Sequence, residues 1–230
     1  MEISVIIPTY NEEQTIAKTL DAVSRLVNVS EIIIVDGGST DNTVELAKSH
    51  GNMKKTEIIR HTKTSRGEQM HIGTGHATGD IFWFIFADSR PIQGAGKQIK
   101  RFLKSEEVAG GNFEVRFTGD SRWAGLMTRI YSQLRSTGLI YGESAIFTRR
   151  ETYEEAGGFR DLPKFEDVDL ASRLMKRGRF VYIKMPVTIS SRRFANGSYL
   201  PKFLMWSVRQ TLYWMGVPPR YLSRAYLPSR

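Results

Sequence analysis

The chain has 230 residues, is 40% hydrophobic and 25% charged, and carries 33 basic against 24 acidic residues for a net charge of +9. It contains no cysteine, which excludes disulfides, thiolate catalysis and Cys-ligated zinc or iron–sulfur sites. Its length suits one domain, or one domain with an extension, able to bury a sizeable core.

The opening Met1-Glu2-Ile3-Ser4 has neither the basic segment nor the apolar run of a secretion signal. The longest apolar stretch, Ile81 to Ala87, is far short of the roughly 20 residues that a membrane helix needs. The expected location is cytoplasmic, with peripheral attachment to the inner face of the membrane as an extension of that expectation.

A first strand is expected over residues 3–7, and the run Ser4-Val5-Ile6-Ile7-Pro8 leads into the polar loop Thr9-Tyr10-Asn11-Glu12-Glu13. A helix is expected near 12–26. A second strand near 31–35 leads into Asp36-Gly37-Gly38-Ser39-Thr40-Asp41, and Asp41-Asn42-Thr43 supplies N-cap chemistry for a helix near 41–50. A strand near 56–60, a helix near 66–77 and an entirely apolar strand over 81–87 follow, the last with the pattern of a central strand buried on both faces. Further on, a β-like passage covers 108–117, a helical stretch 121–136 and a strand 144–148. A short helix then runs to Gly157-Gly158, and another begins near Glu166 and ends before Gly178. Alternating strand and helix periods predict a parallel sheet covered by helices on both faces. Gly73, Gly75 and Gly79 lack the dinucleotide-binding spacing and read as a helix end and a tight turn. The four histidines show no His-Glu-X-X-His spacing and read as surface or packing residues.

The positive charge is concentrated at one end. All 12 charged residues from Leu170 to Arg230 are basic. Such asymmetry points to an anionic partner, whether phospholipid surface, nucleic acid or phosphorylated substrate, or else to a solvated basic face. Tyr199 to Met215 is apolar over most of a helical wheel and ends at Pro218-Pro219. Lys202 and Arg209 share one strip of that wheel, flanked by Trp206 and Tyr213. This pattern suits a helix lying in a membrane interface, and equally a helix packed on the domain or on a second copy in a homodimer.

Loops at the carboxyl ends of neighbouring parallel strands converge on a ligand crevice. Two of those loops hold Glu12 and Asp36, and a third is Ala87-Asp88-Ser89-Arg90-Pro91. A carboxylate there can bridge a hard divalent cation to phosphate oxygens. A fourth segment, Lys164-Phe165-Glu166-Asp167-Val168-Asp169-Leu170, packs three carboxylates into four residues. Mutual repulsion raises at least one pKa and favours a proton acceptor useful near neutrality. A helix N-terminus stabilises the same charges without any catalysis, and spacing leaves both readings open.

Taken in order, Pro8-Thr9-Tyr10-Asn11-Glu12-Glu13, Val35 to Thr43, Ala87-Asp88, Gly157-Gly158-Phe159 and Glu166-Asp167-Val168-Asp169-Leu170 resemble the family 2 inverting glycosyltransferases of GT-A fold, over about residues 3–195. The resemblance implies one Rossmann-like α/β domain with a mostly parallel central sheet and helices on both faces. It implies a nucleotide-sugar-binding half over 1–95 and an acceptor and catalytic half over 96–195; the charge and wheel pattern beyond it add 196–230 as a basic amphipathic helical extension. It further implies a nucleotide-diphosphate-sugar donor, usually a UDP-sugar, a divalent metal such as Mn2+ or Mg2+, and a hydroxyl acceptor. The basic tail adds the expectation of a lipid acceptor at an anionic membrane.

By the same resemblance, Pro8, Thr9, Tyr10, Asn11 and Glu12 cradle base and ribose. Asp36 hydrogen-bonds the base, with Gly38 and Ser39 in its loop, and Arg66, Gln69 and Ala87 lie near the nucleotide. Asp88 matches the metal-binding position and Asp167 the catalytic base, with Glu166 as its neighbour. Gly142 and Glu143 match an acceptor-side loop, and Arg192 and Arg193 would place fixed positive charge on the leaving diphosphate. One departure stands out: the first position of the family's Asp-X-Asp motif is Phe86. Metal binding would then rest on one protein carboxylate, diphosphate oxygens and water. The same departure leaves a catalytically silent nucleotide-sugar binder as an alternative. A nucleic-acid-binding module using the basic quarter is another, but its acidic loops would repel phosphates and it shows no reader motif, so no nucleic acid is expected.

Overall fold

In the computed structural model, residues 1–50, 55–63, 65–118, 125–126, 128–130, 133, 145–162, 164–190, 199–218 and 221–222 are described. The elements in chain order are β1 (Ile3–Thr9), α1 (Ile16–Ser24), β2 (Val29–Asp36), α2 (Thr43–His50), β3 (Lys55–Arg60), α3 (Arg66–His76), β4 (Ile81–Phe84), β5 (Ser89–Pro91) and α4 (Ala95–Phe102). They continue with β6 (Val108–Thr118), β7 (Phe147–Arg149), α5 (Arg150–Glu155), α6 (Glu166–Met175), β8 (Arg179–Ser190) and α7 (Tyr199–Trp214).

Among the described residues the strands form one sheet in the order β3-β2-β1-β4-β7-β6-β8-β5. The β3-β2, β2-β1, β1-β4 and β6-β8 contacts are parallel, and β7 and β5 pair antiparallel with their neighbours. The two-residue side-chain period divides the core between the two faces. Ile3, Val5 and Ile7 of β1, with Ile32, Ile34, Ile81 and Trp83, pack against Ile16, Leu20 and Val23 of α1 and Ile99 of α4. On the opposite face Ile6, Ile33, Phe82 and Phe84 pack against Met70 of α3, Tyr153 of α5 and Leu170 and Leu174 of α6. Both faces are therefore covered, as β-branched runs without polar alternation require.

Several boundaries differ from the sequence expectation. The first helix begins at Ile16, because Thr15 N and Ile16 N both donate to Glu12 O at 3.0 Å and residues before them form a turn. The apolar run 81–87 is strand only to Phe84; Ser89 N donates to Phe86 O at 2.9 Å, turning the chain into β5. The strand expected at 144–148 is Phe147–Arg149. β5, α4 and β8 were not anticipated. β8 is interrupted by a register shift opposite Phe113 and Glu114, near Pro186, which breaks its pattern. The helical stretch expected at 121–136 lies mostly outside the described residues.

At the far end of the sheet from these loops, Glu31 is buried, with its side chain 2% exposed. Its Oε1 accepts from Ser4 Oγ at 2.6 Å, Thr78 N at 2.6 Å and Thr78 Oγ1 at 2.9 Å, and Lys55 Nζ lies 3.2 Å from Oε2. Burial alone would raise this carboxyl, but the hydrogen bonds prevail and bring its pKa from 4.5 to about 2. The folded value lies below the unfolded one. Its contribution is therefore complete above about pH 4.5 and is lost as pH falls toward 2. Glu31→Gln is expected to cost about 2 kcal/mol at pH 7, with a gap that narrows below pH 4.5; thermal melts of both proteins at pH 7 and pH 3.5 measure it.

Candidate active site

Beyond Ile6, β4 no longer pairs with β1, and β1 continues to Thr9 beside β2 alone. Pro8 sits in this stretch, where its missing N–H faces no ladder partner in β4. β1 is also where the strand order turns, since β2 and β3 lie on one side and β4 on the other. Open α/β sheets place ligands at such a switch point, outside the carboxyl ends of the strands.

The loops after β1 and β2 interlock there. Asn11, at φ +53°, donates its backbone N–H to Ser39 Oγ at 2.9 Å and accepts from Thr40 N at 2.9 Å through Oδ1. Glu12 N donates to Thr43 Oγ1 at 2.7 Å and Glu13 N to Asp41 Oδ2 at 3.1 Å. Asp41 also accepts from the amide and hydroxyl of Thr43. Burial opposes these bonds, yet their sum lowers the Asp41 pKa, and the carboxylate caps α2 as its sequence position implied. Tyr10 stands at the rim, 47% exposed.

Asp36 is buried at the tip of β2. Its carboxylate accepts from Thr9 Oγ1 (3.0 Å), Ser39 Oγ (2.5 Å), Ser39 N (2.9 Å) and Gly38 N (3.1 Å). Four accepted bonds fill a carboxylate's capacity, so Asp36 shapes its loop. Gln69 of α3 is also buried; its Nε2 donates to Thr9 O at 2.9 Å and Val35 O at 2.7 Å. It ties the ends of β1 and β2 together.

One turn earlier on α3, Arg66 Nη2 lies 2.8 Å from Glu166 Oε1, and its guanidinium stands 5.1 Å from the centroid of the Phe86 ring. Arg66 thus joins the turn that carries Asp88 to the start of α6. This approach requires Gly67: a Cβ there would fall 2.7 Å from Arg160 O and 3.2 Å from Glu166 Cβ. The Asp88 turn is held from the other side by Thr19 Oγ1, which donates to Ala87 O at 2.7 Å.

The three carboxylates of α6 have separate fates. Asp169 pairs with Arg173 at 2.6 Å, an i,i+4 contact legible in the sequence. Glu166 pairs with Arg66. Asp167 Oδ1 accepts from Val168 N at 2.7 Å. Its burial and then the neighbouring Glu166 charge push its pKa up to about 7, against the opposing pull of Arg66. The raised Asp167 pKa follows the repulsion reading, while Glu166 and Asp169 are held by ion pairs.

Asp88 is buried, and its Oδ2 has no hydrogen-bond partner among the described residues. A buried, unpartnered carboxylate oxygen is costly unless a ligand satisfies it. It fits a divalent cation held by one protein carboxylate, and no cluster of three acidic or His side chains able to hold a metal occurs among the described residues. Gly142, Glu143, Arg192 and Arg193 lie outside the described residues. Sequence reasoning missed Thr19 and Gly67, because a helical threonine and a helical glycine give no local signal of a tertiary contact.

The sheet order and strand-end loops define a GT-A glycosyltransferase fold. The sequence profile described as Glycosyl transferase family 2 matches residues 4–178, and the chain belongs to that family. A dolichol-phosphate mannosyltransferase of Pyrococcus furiosus is 30% identical over 169 residues, covering 71% of this chain and 47% of the relative. The chain spans about half the length of that relative. A mannosyltransferase from Pyrobaculum calidifontis, solved with GDP-Man and Mn2+, superposes with a TM-score of 0.68 at 21% identity, over 85% of this chain and 58% of that one. Glucosyl-3-phosphoglycerate synthase from Mycobacterium tuberculosis, solved with Mn2+, UDP and glucosyl-3-phosphoglycerate, gives 0.65 at 22% identity, over 94% and 81%. These structural likenesses establish the fold.

Proposed function

We propose that the chain is an inverting glycosyltransferase that moves a sugar from a nucleotide-diphosphate sugar, a UDP-sugar first among them, to an acceptor hydroxyl. The observation that carries this reading is Asp167, a buried carboxyl with its pKa pushed up to about 7, joined through Glu166 and Arg66 to the Asp88 turn. A base with a pKa near the working pH accepts a proton well in the transition state. Asp167 takes the acceptor hydroxyl proton, the oxygen attacks the anomeric carbon from the face opposite the leaving group, and the nucleoside diphosphate departs in one displacement. Asp88 would hold Mn2+ or Mg2+, which when bound supplies positive charge to the diphosphate oxygens. Pro8 to Glu12 and the Asp36 loop bind base and ribose, and Arg192 and Arg193 add charge at the diphosphate. Gly142 and Glu143 are assigned to the acceptor side. In this reading residues 1–195 form the catalytic unit, in donor and acceptor halves divided at 95, and 196–230 the basic extension.

The likeness to a relative named for dolichol-phosphate supports a lipid-borne acceptor. So does α7, where Met205 and Val208 are exposed at 38% and 58% while Gln210 is buried, with Met215 exposed at 75% just past its end. That apolar stripe on a basic segment suits an anionic membrane surface. No helix among the described residues is long and apolar enough to cross a membrane.

A thermal-shift screen tests the donor. UDP, GDP and their sugar conjugates are each titrated with and without Mn2+. One base is expected to stabilise the protein by several degrees, and more with the cation. No stabilisation by any nucleotide at millimolar concentration would remove the reading.

A further inference from the structure

We propose that Tyr213 of α7 is a positioning residue for the catalytic base, so that the C-terminal helix is part of the active site. The inference rests on the assignment of Asp167 as base.

Phe165 directly precedes Glu166 and Asp167 and opens α6 in the left-handed conformation, φ +66°. A bulky residue is rare there and persists only where its surroundings hold it. No side chain caps this helix end, so local hydrogen bonding by a capping residue does not fix it. The Tyr213 ring is stacked on the Phe165 ring, with centroids 5.1 Å apart and planes within 11°. The Tyr213 hydroxyl lies 3.5 Å from Asp169 Oδ1, on the next turn of the carboxylate segment. Asp169 is itself held by Arg173 at 2.6 Å and Arg160 at 3.5 Å. Burial, then the Asp169 charge, raises the Tyr213 pKa, which keeps the phenol protonated as a donor. Gln210, one turn before Tyr213, is buried on the same side of α7. Tyr213 therefore touches both ends of the first turn of α6 while Asp167 lies between them.

The two contacts have different functions. The stack holds the residue whose backbone angle aims the first turn of α6. The hydroxyl anchors that turn at Asp169. Without the ring, Phe165 is free to relax to an ordinary conformation. The amide of Val168 and the side chain of Asp167 then turn with it, and the base loses its enclosure.

The experiment uses the full chain and the variants Tyr213→Ala, Tyr213→Phe and Asp167→Asn. The Asp167 carboxyl is titrated by carbon NMR without ligand, the Asp167→Asn protein identifying its resonance. Nucleotide release from UDP- or GDP-sugar with Mn2+ gives kcat and KM. Tyr213→Ala is expected to bring the Asp167 pKa down from about 7 by at least one unit. It should lower kcat at least tenfold and leave the donor KM within twofold. Tyr213→Phe keeps the stack and is expected to recover most of kcat. An unchanged Asp167 titration in folded Tyr213→Ala overturns the proposal. So does a loss confined to KM, or a Tyr213→Phe protein as impaired as Tyr213→Ala. If Asp167→Asn keeps near-normal turnover, the base assignment itself fails, which is a separate result from wild-type behaviour of Tyr213→Ala beside an inactive Asp167→Asn.

Discussion

Asp167→Asn is expected to abolish transfer and, above pH 7, to raise the melting temperature. Loss of a general base lowers turnover roughly 10²- to 10⁴-fold, and donor binding should be nearly unchanged because Asp167 is not among the residues proposed to bind the donor. The stability change has the opposite sign for an electrostatic reason. The Asp167 pKa rises from 3.8 unfolded to about 7 folded. Below pH 3.8 both states are protonated and the residue costs nothing. Between 3.8 and 7 the unfolded chain ionises while the folded one resists, so the penalty grows with pH and is complete above 7. Removing the charge returns on the order of 1–3 kcal/mol, or several degrees of melting temperature. Melts of both proteins at pH 4 and pH 8 separate this from a generic packing effect, which would not depend on pH. In the parent enzyme kcat/KM should rise with pH to a plateau above about 7. Glu166→Gln removes the neighbouring like charge and should move that limb to lower pH. A limb that stays in place would mean that Glu166 does not act on the base.

Asp88→Asn is expected to erase the effect of Mn2+. If Asp88 is the protein carboxylate that holds the cation, its loss uncouples nucleotide binding from the metal. At about 100 times the dissociation constant a bound nucleotide stabilises the fold by about 2.7 kcal/mol. The Mn2+-dependent part of that shift should vanish in the variant, and turnover should fall at least 100-fold. The free protein should melt no lower than the parent, because the replaced Oδ2 has no hydrogen-bond partner to lose among the described residues. A variant that retains its Mn2+ response would place the cation elsewhere. Phe86, where the family motif has a carboxylate, makes this test decisive: its ring lies under Arg66 and offers the cation nothing.

The alternation of β-branched runs with helical periods was enough to foresee β1 to β4 and α1 to α3, because β1, β2 and β4 are buried on both faces, β3 is half-exposed, and each helix buries one face. The short elements escaped. β5 has three residues, too few for a period, and it exists because β8 lies beside it. The family motifs pointed to Asp36, Asp88 and Asp167 before any coordinates, since each follows a strand or opens a helix. Their individual states were not legible. Spacing could not show that Asp36 has its acceptor capacity filled by Thr9, Gly38 and Ser39. Nor could it show that Glu166 pairs with Arg66, or that burial and the Glu166 charge raise the Asp167 pKa.

The sequence alone determined the architecture and the residue types available at the strand ends, because hydrophobic period and loop chemistry are local properties of the chain. Only the tertiary structure decided the electrostatic state of each carboxylate. For Asp167 that outcome depends on burial and the adjacent Glu166 charge, which outweigh the opposing charge of Arg66 on α3, about 100 positions away in sequence. Desolvation and Coulomb interaction act through space, and the folded chain alone sets those distances.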